Sequence, residues 1–270
     1  MQFNRKSQCG FTLIEMIVVM VITGILGGII AIFISGPVQG YLDSARRAEM
    51  TDIADTAMSR ITRDLRTALP NSVRVTQVGS AYYLEFIPTK GGGRYRSAQD
   101  CSSICTGDIL DFTLASDNSF DVLGQSVAAN AGDYLVVYNL GTSTGNCSTG
   151  LDAYEGYNRR TIVSGGSKIT FTPTTCPFPS SNSPGHHFQV TTAPVSYVCN
   201  SAAGTLTRYA SYGWFATQPT STLSGGNLLA SNVSACNFVV ASGLVTVNLT
   251  ISESGESISL YDTANVANVP

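Results

Sequence analysis

The sequence predicts an α+β protein: a long N-terminal helix, membrane-spanning in its first half, packed on an antiparallel β-rich globular head. Three observations carry this. Residues 11–34 are apolar almost without interruption. Residues 41–69 repeat apolar positions at helical spacing. From Asn71 onward that spacing gives way to short alternating runs separated by glycine and polar turns.

The apolar stretch comes first. As a helix, 24 residues reach roughly 36 Å, against about 30 Å for a bilayer's hydrocarbon core. Arg5 and Lys6 precede it with no acid nearby, so the positive-inside rule leaves the N-terminus in the cytoplasm and sends the rest outward. A secretory signal would have a shorter core and a small-residue cleavage site behind it. Here the following residues are Phe33-Ile34-Ser35-Gly36-Pro37. A lipoprotein signal is excluded, because Cys9 precedes the core. Glu15 is the anomaly. An acidic side chain inside a spanning helix costs about 2.5–3.5 kcal/mol on insertion scales. Two readings stand: Glu15 lies near the headgroups, where the cost is smaller, or it has a functional role within the span. Gly24, Gly27, Gly28, Gly36 and Pro37 interrupt the run. Small residues permit close helix packing, and Gly36 with Pro37 is the expected kink.

The second half of the helix is amphipathic. Tyr41, Leu42, Ala45, Ile53, Ala54, Ala57, Ile61, Leu65, Ala68 and Leu69 follow i, i+3/i+4 spacing. Arg46, Arg47, Asp52, Asp55, Arg60, Arg63 and Asp64 fall mostly on the other side, with Asp43–Arg47 and Arg60–Asp64 as i, i+4 pairs. Pro70 is the expected stop.

Beyond it, strands are expected at 73–78, 81–87, 109–114, 134–138, 168–172, 188–192, 195–199, 205–209, 211–216, 237–240, 244–251 and 257–261. Gly91-Gly92-Gly93, Gly165-Gly166 and Gly225-Gly226 read as turns. The last two runs, joined through Ser254-Gly255-Glu256, read as a hairpin.

Seven cysteines are present. Cys9 lies ahead of the apolar run; Cys101, Cys105, Cys147, Cys176, Cys199 and Cys236 lie after it. An even set behind a membrane signal points to disulfides in an oxidising compartment. Zinc is disfavoured, because Cys101 and Cys105 have no second pair at zinc-ribbon spacing. Six cysteines allow 15 pairings. Strand placement favours Cys199–Cys236, since Cys199 ends one strand and Cys236 opens another. Cys101–Cys105 would close a small loop, leaving Cys147–Cys176.

Catalytic sets are lacking. Charged residues make up 12% of the chain, and residues 73–270 carry 8 Lys/Arg and 12 Asp/Glu, without the basic stripe of a nucleic-acid binder. His186 and His187 are neighbours in a polar stretch, read as exposed with no metal or other cofactor expected. Ser164-Gly165-Gly166-Ser167 is no nucleophile elbow. The acidic segment 117–121 lacks EF-hand spacing and reads as a turn. Tyr157-Asn158-Arg159-Arg160 and Arg94-Tyr95-Arg96 read as exposed loops. Tyr209, Tyr212 and Trp214, with Arg208, form the candidate surface for a ligand; packing in the core is the alternative.

Gly10 followed by Phe11-Thr12-Leu13-Ile14-Glu15 resembles the processing site of type IV prepilins and pseudopilins. The resemblance implies a pilin-like fold and no enzymatic activity. A prepilin peptidase would cut between Gly10 and Phe11 and methylate the new N-terminal amine of Phe11. Glu15 would then pair with the N-terminal amine of a neighbouring subunit. Cleavage would remove Arg5, Lys6 and Cys9, leaving 13 basic and 18 acidic residues (13 − 18 = −5) and six cysteines. Residues 60–74 and the ending 265–270 also resemble biogenesis proteins of the mannose-sensitive haemagglutinin (MSHA) pilus. The organisation implied is a leader at 1–10, a transmembrane and pilus-core helix at 11–36, its amphipathic continuation at 37–70, and a periplasmic head at 71–270. The implied partners are the peptidase, other major and minor pilins through the N-terminal helix, and an inner-membrane assembly platform, with no nucleic acid. The implied location is the inner membrane in a single pass, then the pilus and cell surface. The expected role is that of a minor pilin in assembly initiation or the tip complex, and hence in surface attachment. The alternatives are a minor pseudopilin of a type II secretion system and a tip adhesin that binds a surface ligand through its head.

Overall fold

The computed structural model describes residues 10–179 and 183–267. They divide into two compact units between Glu49 and Met50. Helix α1 (Leu13–Leu65) contributes to both, and it is unbroken across Gly36 and Pro37. In the first unit its apolar residues are exposed: Leu13 is 79% and Phe33 81% accessible.

In the second unit the amphipathic half of α1 buries one stripe. Met50, Ala54, Ala57, Met58, Ile61 and Leu65 are all within 3% of full burial. They are spaced by three or four residues, so they share one helix face. Each large aliphatic among them contributes about 1.5–3 kcal/mol by leaving water. The helix ends at Leu65, short of the expected Leu69. Thr67 and Ala68 donate their N–H groups three residues back, to Asp64 and Leu65. The chain then leaves the axis to pair elsewhere: Ala68 bridges Pro88, and the Leu69 N–H reaches the Ile87 carbonyl at 2.7 Å. Tertiary pairing, ahead of Pro70, sets this end.

The remainder is antiparallel sheet. Strands β1 (Arg74–Val78), β2 (Ala81–Phe86) and β3 (Thr89–Tyr95) are followed by the two-residue ribbon of β4 (Asp100–Cys101) and β5 (Cys105–Thr106). Next come β6 (Ser119–Leu123), β7 (Tyr134–Val136), β8 (Arg159–Ser164), β9 (Lys168–Phe171) and β10 (His187–Thr191). The chain closes with β11 (Val195–Asn200), β12 (Thr205–Ala210), β13 (Asn227–Ala230), β14 (Val233–Ala241), β15 (Leu244–Glu253) and β16 (Glu256–Asn265). A five-stranded sheet has the order β1-β2-β11-β12-β13. Its neighbours β2 and β11 are separated in sequence by the whole of a second body, a closed six-stranded barrel ordered β10-β3-β6-β9-β8-β7. Tyr95, Phe120, Leu135, Ile162, Ile169, Phe171 and Phe188 fill the barrel. A third sheet, β14-β15-β16, ends the chain. Phe238, Val245, Val247, Leu249 and Ile251 of this sheet join the α1 stripe and Leu84, Phe86 and Tyr197 of the first sheet in one core.

The antiparallel head and the β15–β16 hairpin follow the sequence reading. Ser254 and Gly255, both at positive φ, make its two-residue turn. Several local expectations fail. Gly91-Gly92-Gly93 lies inside β3, not in a turn. Segment 109–114 is not a strand, because Asp111 Oδ1 takes the Thr113 N–H at 2.7 Å and turns the chain. Segment 211–216 is not one either, because Ser211 and Gly213 sit at φ 60 and 97. Ser119 opens β6 where a turn was expected, and Arg159-Arg160 opens β8 where an exposed loop was expected. Arg160 is 3% accessible; it donates to the Tyr157 and Cys176 carbonyls and stacks on Phe178. Arg96 likewise faces Asp100 and Asp121.

Candidate processing and assembly site at the helix start

Gly10 and Phe11 are exposed, and a side chain at position 10 would touch nothing within 4 Å. The fold therefore gives no internal reason for glycine there. The same holds for Gly24, Gly27, Gly28, Gly36 and Gly40. Each glycine inside a helix costs about 1 kcal/mol relative to alanine. No packing inside the described residues offsets that cost.

Thr12 is the residue before the helix, and Glu15 is its third residue. The Glu15 N–H donates to Thr12 Oγ1 at 3.4 Å, and the Thr12 N–H donates to Glu15 Oε2 at 3.5 Å. This is a capping box, T-x-x-E, in which two orphan donors of the first turn are satisfied reciprocally. The spacing is legible in the sequence, but the apolar surroundings draw attention to the depth of Glu15 and away from its neighbour three residues back. Both bonds are at the long limit, whereas a charge-assisted bond closes to about 2.7–2.9 Å. The carboxylate thus has a local partner, the Thr12 N–H, held at long range.

Residues 1–9, and with them Arg5, Lys6 and Cys9, lie outside the described residues. Pro37 has no N–H, so the Phe33 carbonyl lacks its helical donor. Arg46 pairs with Asp43 at 3.1 Å, an i, i+3 contact beside the expected Asp43–Arg47.

Three disulfides brace the head. Cys199 on β11 joins Cys236 on β14, with 6.4 Å between Cα atoms, and so links the first and third sheets. Cys101–Cys105 closes the β4–β5 ribbon. Cys147–Cys176 ties the loop before β8 to the segment after β9.

The aromatic set at 208–214 is dispersed. Arg208 faces α1, where its Nε reaches Asp64 at 3.0 Å. The Tyr212 hydroxyl donates to Glu85 Oε1 at 2.6 Å and lies 2.8 Å from Ser196 Oγ. Trp214 packs against Tyr134 and Tyr154 of the barrel side and carries the Arg159 guanidinium 3.6 Å above its ring. The structural residue that sequence reasoning missed is Glu85. It is fully buried and bonded to Arg74 at 2.5 Å. Burial outweighs the Arg74 guanidinium and the Tyr212 hydroxyl and holds its carboxyl above the usual range. Burial also pulls Arg159 and Arg160 down to about 10. His187 is exposed, but His186 is half-buried with its ring 5.4 Å from Tyr95. Among the described residues, no three His, Cys, Asp or Glu side chains stand together as a metal site.

A family model described as the prokaryotic N-terminal methylation motif matches residues 5–34. No curated protein and no solved structure matches the chain. The motif supports a type IV pilin-like protein, pseudopilins included, whose class is structural and not enzymatic. It implies processing by a prepilin peptidase and entry into a pilin assembly. Among the described residues one helix, α1, is long and apolar enough to cross a membrane, which fits membrane anchoring.

Proposed function

We propose that this chain is a minor pilin of an MSHA-like type IV pilus, acting in assembly initiation or in the tip complex and thereby in surface attachment. The observation that carries the reading is the pairing of a loosely capped Glu15 with an apolar helix whose aliphatic side chains are exposed and whose glycines face open space among the described residues. Such a surface is unstable in water and is completed by lipid or by other helices. The peptidase cuts after Gly10 and methylates Phe11. Glu15 then leaves the Thr12 cap for the α-amine of an adjoining subunit, a contact strengthened by the low dielectric of a helix bundle. Arg5 and Lys6 hold the leader in the cytoplasm, which puts the head in the periplasm. A head of this size fits a filament end better than its packed shaft.

The test is Glu15→Ala, with Gly10 replaced by a bulky residue as the processing control. The alanine variant should be trimmed and methylated normally but appear in purified pili at least ~10-fold less, the scale of a lost buried charge pair. The Gly10 variant should remain full length on a gel. Undiminished incorporation of the alanine variant, or an intact wild-type N-terminus in cells with active peptidase, rejects the proposal.

A further inference from the structure

The segment between β12 and β13 crosses the outer face of the five-stranded sheet as a strap. Arg74 holds it by donating to the Phe215 and Ala216 carbonyls at 2.8 and 2.6 Å. Gln218 anchors it again, accepting from Thr76 Oγ1 at 2.7 Å and donating to the Tyr83 carbonyl at 3.0 Å. Past Gln218 the bonding stops and a groove of about 270 Å³ opens between strap and sheet. Its hydroxyls come from Tyr83, Thr205, Thr207, Tyr209, Thr220 and Ser221. None of these six hydroxyls makes a hydrogen bond to another described residue, although the Tyr212, Ser196 and Thr76 hydroxyls at the same sheet face are all bonded. Among the described residues, no Asp, Glu, Lys, Arg or His lines the groove; Val198 and Leu223 supply apolar surface. One wall is fixed, because a Cβ on Gly226 would stand 2.5 Å from the Tyr209 ring and from Thr207 Cγ2.

We infer that this groove binds a neutral polyhydroxylated ligand of about one sugar ring. The volume lies just below the range of about 300–1,000 Å³ for drug-sized ligands, which suits a single small ring. Tyrosine rings with polar tips suit a ligand that is apolar on its face and hydroxylated at its edge. A charged ligand would lose hydration with no counter-charge to meet it. The inference stands on the head alone and is independent of the filament reading.

The experiment uses the full chain in a polyoxyethylene detergent, which has no sugar headgroup to compete. The probes are methyl glucoside, methyl galactoside and N-acetylglucosamine, with glucuronic acid as the charged counterpart, read by saturation-transfer NMR and calorimetry. At least one neutral probe should bind saturably in the millimolar range, about −4 kcal/mol, and glucuronic acid more weakly. Tyr83→Phe and Thr207→Val, which keep shape and remove a hydroxyl, should each weaken binding roughly 2- to 10-fold with an unchanged thermal midpoint. Ser221→Trp, at an exposed position, should fill the groove and abolish binding. No saturable neutral probe, equal binding of glucuronic acid, or binding that survives Ser221→Trp overturns the inference.

Discussion

Tyr197 donates its hydroxyl to Asp64 Oδ2 at 2.6 Å, so the middle of the five-stranded sheet is bonded to the last turn of α1. Arg208 Nε completes the triangle, 3.0 Å from the same oxygen and 3.2 Å from the phenol. An acid at a helix C-terminus opposes the macrodipole, and Arg208 offsets this. The Tyr197 hydroxyl is pushed up by burial and by Asp64, so it stays a donor at all ordinary pH. Tyr197→Phe should cost about 1–3 kcal/mol, the scale for a bond to a charged group. Guanidinium unfolding of the detergent-solubilised chain measures it, and an unchanged midpoint would show that the triangle is decorative.

Glu85 sets a pH dependence. Its folded carboxyl titrates above the ordinary value of 4.5 because burial outweighs Arg74 and Tyr212. A raised folded value means the folded state holds the proton more tightly. The Glu85 contribution is therefore full below pH 4.5 and is lost as pH rises through the folded value. The stability of wild type relative to Glu85→Gln should fall as pH rises above 4.5, with unfolding midpoints as the readout. A difference that grows with pH would reverse the sign and remove the argument.

Gly92 is a packing glycine. A Cβ there would stand 2.6 Å from the Phe188 carbonyl oxygen and 2.6 Å from Gln189 Oε1. The first contact is backbone on the paired strand β10, which cannot yield without breaking the barrel seam. Gly92→Ala should destabilise by about 1–3 kcal/mol, while Gly91→Ala, with nothing within 4 Å, should cost far less. Equal melting temperatures for the two variants would count against this account of β3.

The disulfides differ in reach. Cys199–Cys236 spans 37 residues and Cys101–Cys105 spans 4. Loop-closure entropy makes the first worth roughly 4 kcal/mol and the second roughly 2. Replacing the Cys199–Cys236 pair by alanines should therefore lower the unfolding midpoint more than replacing Cys101–Cys105. The opposite order would show that native-state effects dominate the chain entropy.

The sequence by itself determined the two halves of the helix, the antiparallel head and the final hairpin. Each of these is written in near-neighbour chemistry: an apolar run, a period of three to four, an alternation, a Ser-Gly turn. The Thr12–Glu15 cap was equally local. What only the tertiary structure decided is long-range pairing. Gly91 to Gly93 read as a turn because glycine favours turns, yet they lie in a strand paired with β10, where Phe188 and Gln189 leave no room for a side chain at Gly92 and Phe188 with Val127 leaves little at Gly93. Arg159 and Arg160 read as exposed loop, yet the Trp214 ring covers the first, and the Phe178 ring and Cys176 carbonyl help to bury the second. Asp64 read as the partner of Arg60 one turn back, yet a tyrosine 133 residues away claims it. The barrel lies between two strands that are neighbours in the first sheet, and no local pattern announces such an insertion. Helix and turn propensities are summed over a few adjacent residues, whereas burial and pairing depend on contacts that exist only once the chain has folded back on itself.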